Sequence, residues 1–119
     1  MIKTILQDKY DVDSFSFGEE FIVTLVSNTS TKKFSFGDRI VYFKFYEEEL
    51  ANPTNFPYYN LLGKSLRTTM LIQNTDSELL EKIKSDTGDF YSADELKHYI
   101  IIAQNHIMEI VSLDEVQET

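Results

Sequence analysis

The fold of this chain is decided by the stretch YIIIAQNHIMEIV, which spans residues 99–111. Two apolar runs rich in isoleucine, Tyr99–Ile102 and Ile107–Val111, flank the polar pair Gln104 and Asn105. Apolar runs separated by a short polar turn are typical of a β-hairpin. We therefore predict that the domain closes with two antiparallel strands joined by a tight turn.

Three more strands are predicted before this hairpin. Phe21–Val26 is rich in β-branched and aromatic residues and ends at a polar turn cluster. Arg39–Tyr46 follows a Gly-Asp pair, and Leu66–Gln73 has apolar residues at alternate positions on one face. Both have the length and composition of strands.

One helix is predicted between the third strand and the hairpin. Thr75-Asp76-Ser77-Glu78 has the spacing of a capping box, and apolar residues at helical spacing follow it. Gly88 is suited to end a helix. We predict a helix over 76–86 and a mainly β fold in the order three strands, helix, two strands.

The composition bounds the class of protein. The chain has 119 residues, 42% of them hydrophobic and 26% charged, which favours one folded domain over a disordered chain. It has no cysteine, so disulfide scaffolds, thiol nucleophiles and zinc ribbons are excluded. The N-terminus reaches a charge too early for a signal peptide, and no apolar run has the length of a membrane span, so we expect a cytoplasmic protein. Residues 1–113 are assigned to one domain and 114–119 to a short acidic C-terminal tail.

The charge of the chain is unevenly distributed. The net charge is −9, but residues 1–73 carry nine acids and eight bases, whereas residues 74–119 carry eleven acids and three bases. The basic stretches of the first half are also aromatic, which is the composition of surfaces that stack unpaired bases and hold a phosphate backbone. The candidate nucleic-acid-binding residues are Lys32, Lys33, Phe34, Phe36, Arg39, Tyr42, Lys44, Tyr46, Tyr58, Tyr59, Lys64 and Arg67.

The side chains of the strand predicted over 39–46 point alternately to two faces. Val41, Phe43 and Phe45 form an ordinary core face. The other face, with Ile40, Tyr42, Lys44 and Tyr46, alternates amphipathic aromatics with a lysine and is interpreted as a platform for bases. A half-solvated sheet face or a dimer surface is the alternative interpretation.

No catalytic or metal site is predicted. If Gln104 and Asn105 form the turn, His98 lies opposite Val111 and far from His106, so the two histidines cannot share a metal ion. Each is interpreted as structural or solvent-facing, and the acidic run 47–49 as a solvated surface. We expect neither an enzyme nor a cofactor.

The element order is that of the OB-fold, a five-stranded Greek-key barrel with its helix between strands three and four. With this order, its aromatic and basic first half and its acidic ending at 114–119, the chain resembles a single-stranded DNA-binding protein of small tailed phages of the lactococcal-phage type. The resemblance implies sequence-tolerant binding of single-stranded DNA in phage replication or recombination, in the host cytoplasm, by a homo-oligomer, with a dimer favoured. It also implies that the acidic tail recruits replication or recombination proteins, although this tail lacks a terminal phenylalanine.

These observations lead to a mechanism for DNA binding and to two alternative functions. The lysines and arginines would replace phosphate counterions, and the tail would compete with DNA for the groove, so removal of 114–119 is expected to raise the affinity. In the chief alternative, a small acidic phage protein binds and inhibits a host protein as a nucleic-acid mimic, through Asp86, Asp89, Asp94 and Glu95. A structural virion component that oligomerises through its aromatic face is the third interpretation.

Overall fold

The structure is a computed structural model that describes residues 2–47, 51–52, 54–56, 58, 69–88, 90–92 and 95–119. Within these residues, the strands and the helix in chain order are β1 (Ile2–Asp8), β2 (Asp11–Phe17), β3 (Phe21–Val26), β4 (Thr31–Ser35), β5 (Ile40–Glu47), β6 (Thr69–Asn74), α1 (Glu78–Asp86), β7 (Lys97–Ile102), β8 (His106–Ser112) and β9 (Gln117–Glu118).

These strands form two antiparallel sheets. The larger sheet has the order β1-β6-β7-β8-β5, and the smaller has the order β2-β3-β4-β9. Consecutive strands pair in β2-β3-β4 and in β6-β7-β8, whereas β1 pairs with β6, β5 with β8 and β9 with β4. The chain therefore crosses between the two sheets three times, from β1 to β2, from β4 to β5 and from β8 to β9.

The predicted hairpin is confirmed and lies inside the larger sheet. His98 pairs with Val111 and Ile102 with Ile107. The Ala103 amide donates a hydrogen bond to the His106 carbonyl across the turn, at 2.9 Å. Every residue from 98 to 102 is buried, because both faces of this sheet are covered.

The inner face of the larger sheet packs against the smaller sheet. From β3, Phe21, Val23 and Leu25 point inward, and they share a buried cluster with Tyr99 and Ile101 of β7. The outer face is covered at one end by α1, through Leu80 and Ile83, and at the other by the segment around Phe56.

The prediction of a mainly β fold is confirmed, but the count of five strands is wrong. The described residues contain all five predicted strands, as β3, β5, β6, β7 and β8, and four more, although residues 66–68 of the third predicted strand lie outside them. The first two predicted strands, β3 and β5, lie in different sheets rather than side by side. The missed strands carry weak signals: β2 alternates acids and serines with its apolar residues, β4 holds two lysines and β9 has two residues.

The helix begins two residues later than predicted. Ser77 is the N-cap, and its hydroxyl accepts a hydrogen bond from the Leu80 amide at 3.2 Å, so the predicted capping box at Thr75 is wrong. The helix ends at Asp86, and Gly88 follows with a φ of 63°, as expected for a residue that stops a helix. No helix in the described part of the chain has the length and apolar character needed to cross a bilayer.

Candidate functional site

Two of the predicted base-contacting residues belong to the core. Phe34 and Phe36 are 2% and 0% exposed and lie between the two sheets. The Phe36 ring packs edge-on against Tyr99, with 5.3 Å between the ring centres. Neither ring is open to a base, because β4 turns these positions toward the larger sheet. This corrects the prediction that they contact nucleic acid.

The predicted platform on β5 is also covered. Tyr42 packs on the cluster formed by α1 and Val111, and Tyr46 packs edge-on against Phe56 at 5.6 Å. A bulge between Ile40 and Tyr42 changes the strand's alternation, so that Ile40 joins the core between the sheets. The same bulge places Val41 on the α1 side with Tyr42, which corrects both predicted faces of this strand.

Burial changes the chemistry of this face. Desolvation raises the pKa values of the phenols of Tyr42, Tyr46 and Tyr58, and the nearby Glu109 carboxylate acts in the same direction. Lys44 lies 4.9 Å from the centre of the Tyr46 ring and donates a hydrogen bond to the Asn55 carbonyl. The lysine is thus engaged within the protein rather than presented to a phosphate.

The remaining aromatic and basic candidates are divided between the described and the undescribed parts of the chain. The Tyr58 hydroxyl accepts a hydrogen bond from the Asn74 amide at 2.7 Å. Tyr59, Lys64 and Arg67 lie outside the described residues. The role of these three residues in nucleic-acid binding stays a prediction.

Two basic candidates, Lys32 and Arg39, form ion pairs with the C-terminal segment, and a third, Lys33, lies beside Lys32 on β4. β9 pairs with β4, and the Thr119 amide donates a hydrogen bond to the Lys33 carbonyl at 2.9 Å. Lys32 pairs with Glu118 at 3.3 Å, although the Lys33 side chain remains exposed. Gln117 and Glu118 are therefore part of the smaller sheet, so the end of the predicted tail packs along the edge of β4.

Arg39 forms the second ion pair to this segment. Its guanidinium Nη2 lies 2.5 Å from Asp114 Oδ1, and its Nε lies 3.4 Å from Asp114 Oδ2. The guanidinium lowers the pKa of the Asp114 carboxyl below its usual value, and the carboxylate raises the pKa of Arg39. Two of the predicted DNA-binding cations are thus neutralised by residues of the same chain.

A concave acidic surface lies beside these pairs, and we call it the acidic cleft. It encloses about 470 Å³. Its carboxylates come from both ends of the chain and are those of Glu19, Glu20, Asp38, Asp114 and Glu115. Gly37, with a φ of 81°, forms part of the wall, and a Cβ atom at this position would collide with Asp114.

Two phenylalanines of the sheets are exposed, and one of them, Phe17, lines a groove that borders the acidic cleft. Phe17 is 61% exposed and stacks on Phe21, with 4.3 Å between ring centres. Phe45 is 37% exposed and stacks on His106 at 4.7 Å. A groove lined by Phe17, Phe21 and Phe43 adjoins the acidic cleft, because both include Gly37 and Asp38. Period-two alternation places Phe17 on the same face as the core-packed Phe15, so the sequence carried no signal for its exposure at the end of β2.

A buried polar chain was missed entirely. The Ser77 hydroxyl lies 2.7 Å from His98 Nδ1, and His98 Nε2 lies 3.4 Å from Glu109 Oε1. The available signal was Glu109 itself, a carboxylate inside an otherwise apolar strand. Among the described residues, no group of three or more histidines and carboxylates is arranged for a metal ion.

Comparisons with protein-family models, with curated proteins and with solved structures found no match to this chain.

Proposed function

We propose that this protein is a non-catalytic binding protein whose acidic cleft takes a basic segment of another protein. The observation that carries the proposal is the cleft itself, in which five carboxylates line one concavity of about 470 Å³. Arg39 neutralises only one of them, Asp114. A surface of this sign attracts lysine and arginine side chains and repels phosphate.

The charges of the cleft are available to a partner. In the described part of the chain, Glu19, Asp38 and Glu115 have no cation within ion-pair distance. Glu20 accepts a hydrogen bond from the Ser35 hydroxyl at 2.8 Å, which fixes its carboxylate at the wall. Like charges held together in a concavity favour a cation that lies between them.

The groove beside the cleft supplies the apolar part of an interface. Phe17 projects into solvent next to the acidic wall, and Phe21 and Phe43 line the groove behind it. Binding energy at protein interfaces is concentrated in aromatic anchors surrounded by polar residues. We therefore expect the partner to combine basic side chains with at least one apolar side chain.

This proposal keeps the alternative in which an acidic protein binds another protein as a nucleic-acid mimic, but it assigns the binding to a different surface. The sequence indicated the acidic half, residues 74–119, and in particular Asp86 and Glu95. The cleft instead joins Glu19 and Asp38 from the first half to Glu115 from the second. Asp89 and Asp94 lie outside the described residues.

A titration with a fluorescent arginine-rich and phenylalanine-containing peptide, followed by anisotropy at two salt concentrations, tests the proposal. The variant Glu19→Gln/Asp38→Asn/Glu115→Gln should lower the affinity by about tenfold or more. The matched variant Asp11→Asn/Glu81→Gln/Asp86→Asn removes the same charge from exposed positions outside the cleft. Equal losses in the two variants would show only a net-charge effect, and no binding by the wild type would reject the proposal.

Single-stranded DNA binding is the second candidate, and one observation favours it. An acidic segment lies on Lys32 and Arg39, as a polyanion would, and the Lys33 side chain beside it is exposed. DNA would have to displace residues 114–119 to reach these cations. This candidate function depends on the cations of strand β4. It does not depend on the closed five-stranded OB barrel that the sequence predicted.

Anisotropy of a labelled oligothymidine beside a duplex of equal length tests this second candidate. The full-length variant Asp114→Asn/Glu118→Gln should bind the single strand more tightly than the wild type, and salt should weaken the binding. Glu81→Gln/Asp86→Asn is the control of equal charge. If neither the wild type nor the first variant binds at low salt, the DNA candidate is rejected while the acidic-cleft proposal is untouched.

A further inference from the structure

A second cavity lies on the opposite side of the larger sheet from the smaller sheet. It encloses about 230 Å³ between the start of α1, Tyr58 and the strands β7 and β8. All of its lining residues except Leu79 carry polar groups, and they are Tyr58, Asn74, Asp76, Ser77, Glu78, His98 and Glu109. It shares no lining residue with the acidic cleft, so it is a separate site, which we call the Glu109 pocket.

Glu109 places a carboxylate at the wall of this pocket although it is only 5% exposed. Among the described residues, its nearest polar partner is His98 Nε2 at 3.4 Å, which is long for a hydrogen bond. A buried carboxylate is stable only when it is paired and hydrogen-bonded. Glu109 therefore has unused capacity to accept hydrogen bonds from a cation.

His98 is held in place by Ser77, and its contact with Glu109 is too long to satisfy the carboxylate. Its Nδ1 lies 2.7 Å from the Ser77 hydroxyl, which also accepts a hydrogen bond from the Leu80 amide as the helix cap. His98 Nε2 is buried and has no hydrogen-bond partner among the described residues. A lone pair on Nε2 would face the carboxylate, so this geometry favours the tautomer in which Nδ1 accepts from the Ser77 hydroxyl and the proton lies on Nε2, at 3.4 Å from Glu109.

The nearby lysine does not neutralise Glu109 either. Lys44 lies directly opposite Glu109 on β5, but its ammonium donates to the Asn55 carbonyl and lies over the Tyr46 ring. Glu78 adds a further carboxylate at the rim, in the first turn of α1. This acid and Glu81 offset the positive end of the helix, so the pocket as a whole favours a cation.

The aromatic lining fits an organic cation better than a bare ion. The Tyr58 ring lies 5.9 Å from the His98 ring, and its hydroxyl is held by the Asn74 amide. Such a ring gives a cation a face to rest on while a carboxylate binds its hydrogen atoms. The half-buried side chain of Leu79 completes an apolar wall for a short carbon chain.

We propose that the Glu109 pocket binds a primary ammonium or guanidinium group, with Glu109 as its counter-ion and Tyr58 as its aromatic wall. The cation belongs either to a free small amine or to a lysine or arginine side chain of a partner protein. The two sources share one chemistry and are separated by the choice of probe.

Calorimetric titration of the full chain with agmatine, with n-butylammonium and with an acetylated, amidated single-lysine peptide tests the proposal; n-butanol is the neutral control. The cationic probes should saturate one site, and n-butanol should not bind. Glu109→Gln should weaken the cationic probes by about tenfold or more, because it removes a charge-assisted hydrogen bond but keeps the side-chain shape. Tighter binding of the free amines identifies a small-molecule site, and tighter binding of the peptide identifies a side-chain site.

Three further variants make the result specific. Asp86→Asn, at an exposed position at the C-terminal end of α1, should leave binding unchanged, and so should the triple variant of the acidic cleft. Leu79→Trp should fill the pocket and weaken binding without altering its charge, which keeps the proposal testable if Glu109→Gln folds poorly. Absence of saturable binding by all cationic probes, or equal binding by wild type and both pocket variants, would overturn the proposal.

Discussion

Arg39 and Asp114 are joined by two nitrogen to oxygen contacts that tie the entry of β5 to the segment before β9. The pair spans 75 residues of sequence, and it is flanked by the Leu113 amide, which donates a hydrogen bond to the Arg39 carbonyl at 3.1 Å. The docking of residues 114–119 therefore rests on both backbone and charged contacts.

This ion pair makes the stability of the protein depend on pH in one direction. The pKa of Asp114 is lowered in the folded state. The ion pair therefore adds to the free energy of unfolding above the unfolded-state pKa, and this stabilisation is lost as the pH falls through the folded-state pKa. Asp114→Asn should lower the melting temperature slightly at about pH 7, and the difference should shrink as the pH falls below about 4. Thermal melts of both proteins measure this, with Asp11→Asn as the control. A difference that persists in acid would show that the hydrogen-bond geometry, and not the charge, stabilises the segment.

Gly37 should tolerate no side chain. Its φ is 81°, and a Cβ atom would meet Asp114 at less than contact distance, so Gly37→Ala should destabilise the fold by about 1–3 kcal/mol. Gly18→Ala is the control, because nothing lies within 4 Å of a Cβ there. Chemical denaturation of both variants gives the comparison. Similar midpoints for the two would contradict the close approach of Gly37 and Asp114.

Ser77 should be worth more than an ordinary helix cap. Ser77→Ala removes the acceptor of the Leu80 amide and leaves the buried His98 Nδ1 without a partner, so we expect a loss of about 2–3 kcal/mol. Ser85→Ala, at an exposed position in the same helix, should be nearly neutral. The free energies of unfolding in urea test the difference. Equal values would mean that the serine and the histidine do not interact in solution.

Phe34 should act through stability and not through ligand contact. Phe34→Ala opens a cavity between the sheets and should cost about 3–5 kcal/mol. Phe17→Ala, at a largely exposed ring, should cost far less but should weaken binding of the phenylalanine-containing peptide. Denaturation and anisotropy on the same two variants separate these effects. A stable Phe34→Ala protein would contradict the packing of β4.

Strong local patterns were enough to predict much of the fold. The five predicted strands and the register of the β7 and β8 hairpin follow from apolar runs and one polar turn, which are short-range signals. The Ser77 cap was missed because Thr75 has the better capping-box spacing in sequence, whereas Ser77 gains a buried histidine partner 21 residues away. The pairing of β9 with β4 depends on residues more than 80 positions apart and leaves no local trace.

The candidate site was harder to predict than the fold for the same reason. Which way Phe34 points depends on the second sheet, which the pattern of β2 and β4 did not reveal. The two faces of β5 were misassigned because a bulge at Val41 shifts the alternation for the residues before it. The charge partners of Lys32 and Arg39, which are Glu118 and Asp114, come from the other end of the chain.

The short strand β9 also has a consequence for self-association. β4 would otherwise end the smaller sheet with free amides and carbonyls, which invite strands of neighbouring molecules to add on and aggregate. β9 pairs with Phe34 and Ser35, Thr119 pairs with the Lys33 carbonyl, and Lys32 and Lys33 place charge along the rest of that border. Residues 114–119 thus act as a guard strand, and their loss would leave β4 open to strand addition by a second copy and to fibre growth.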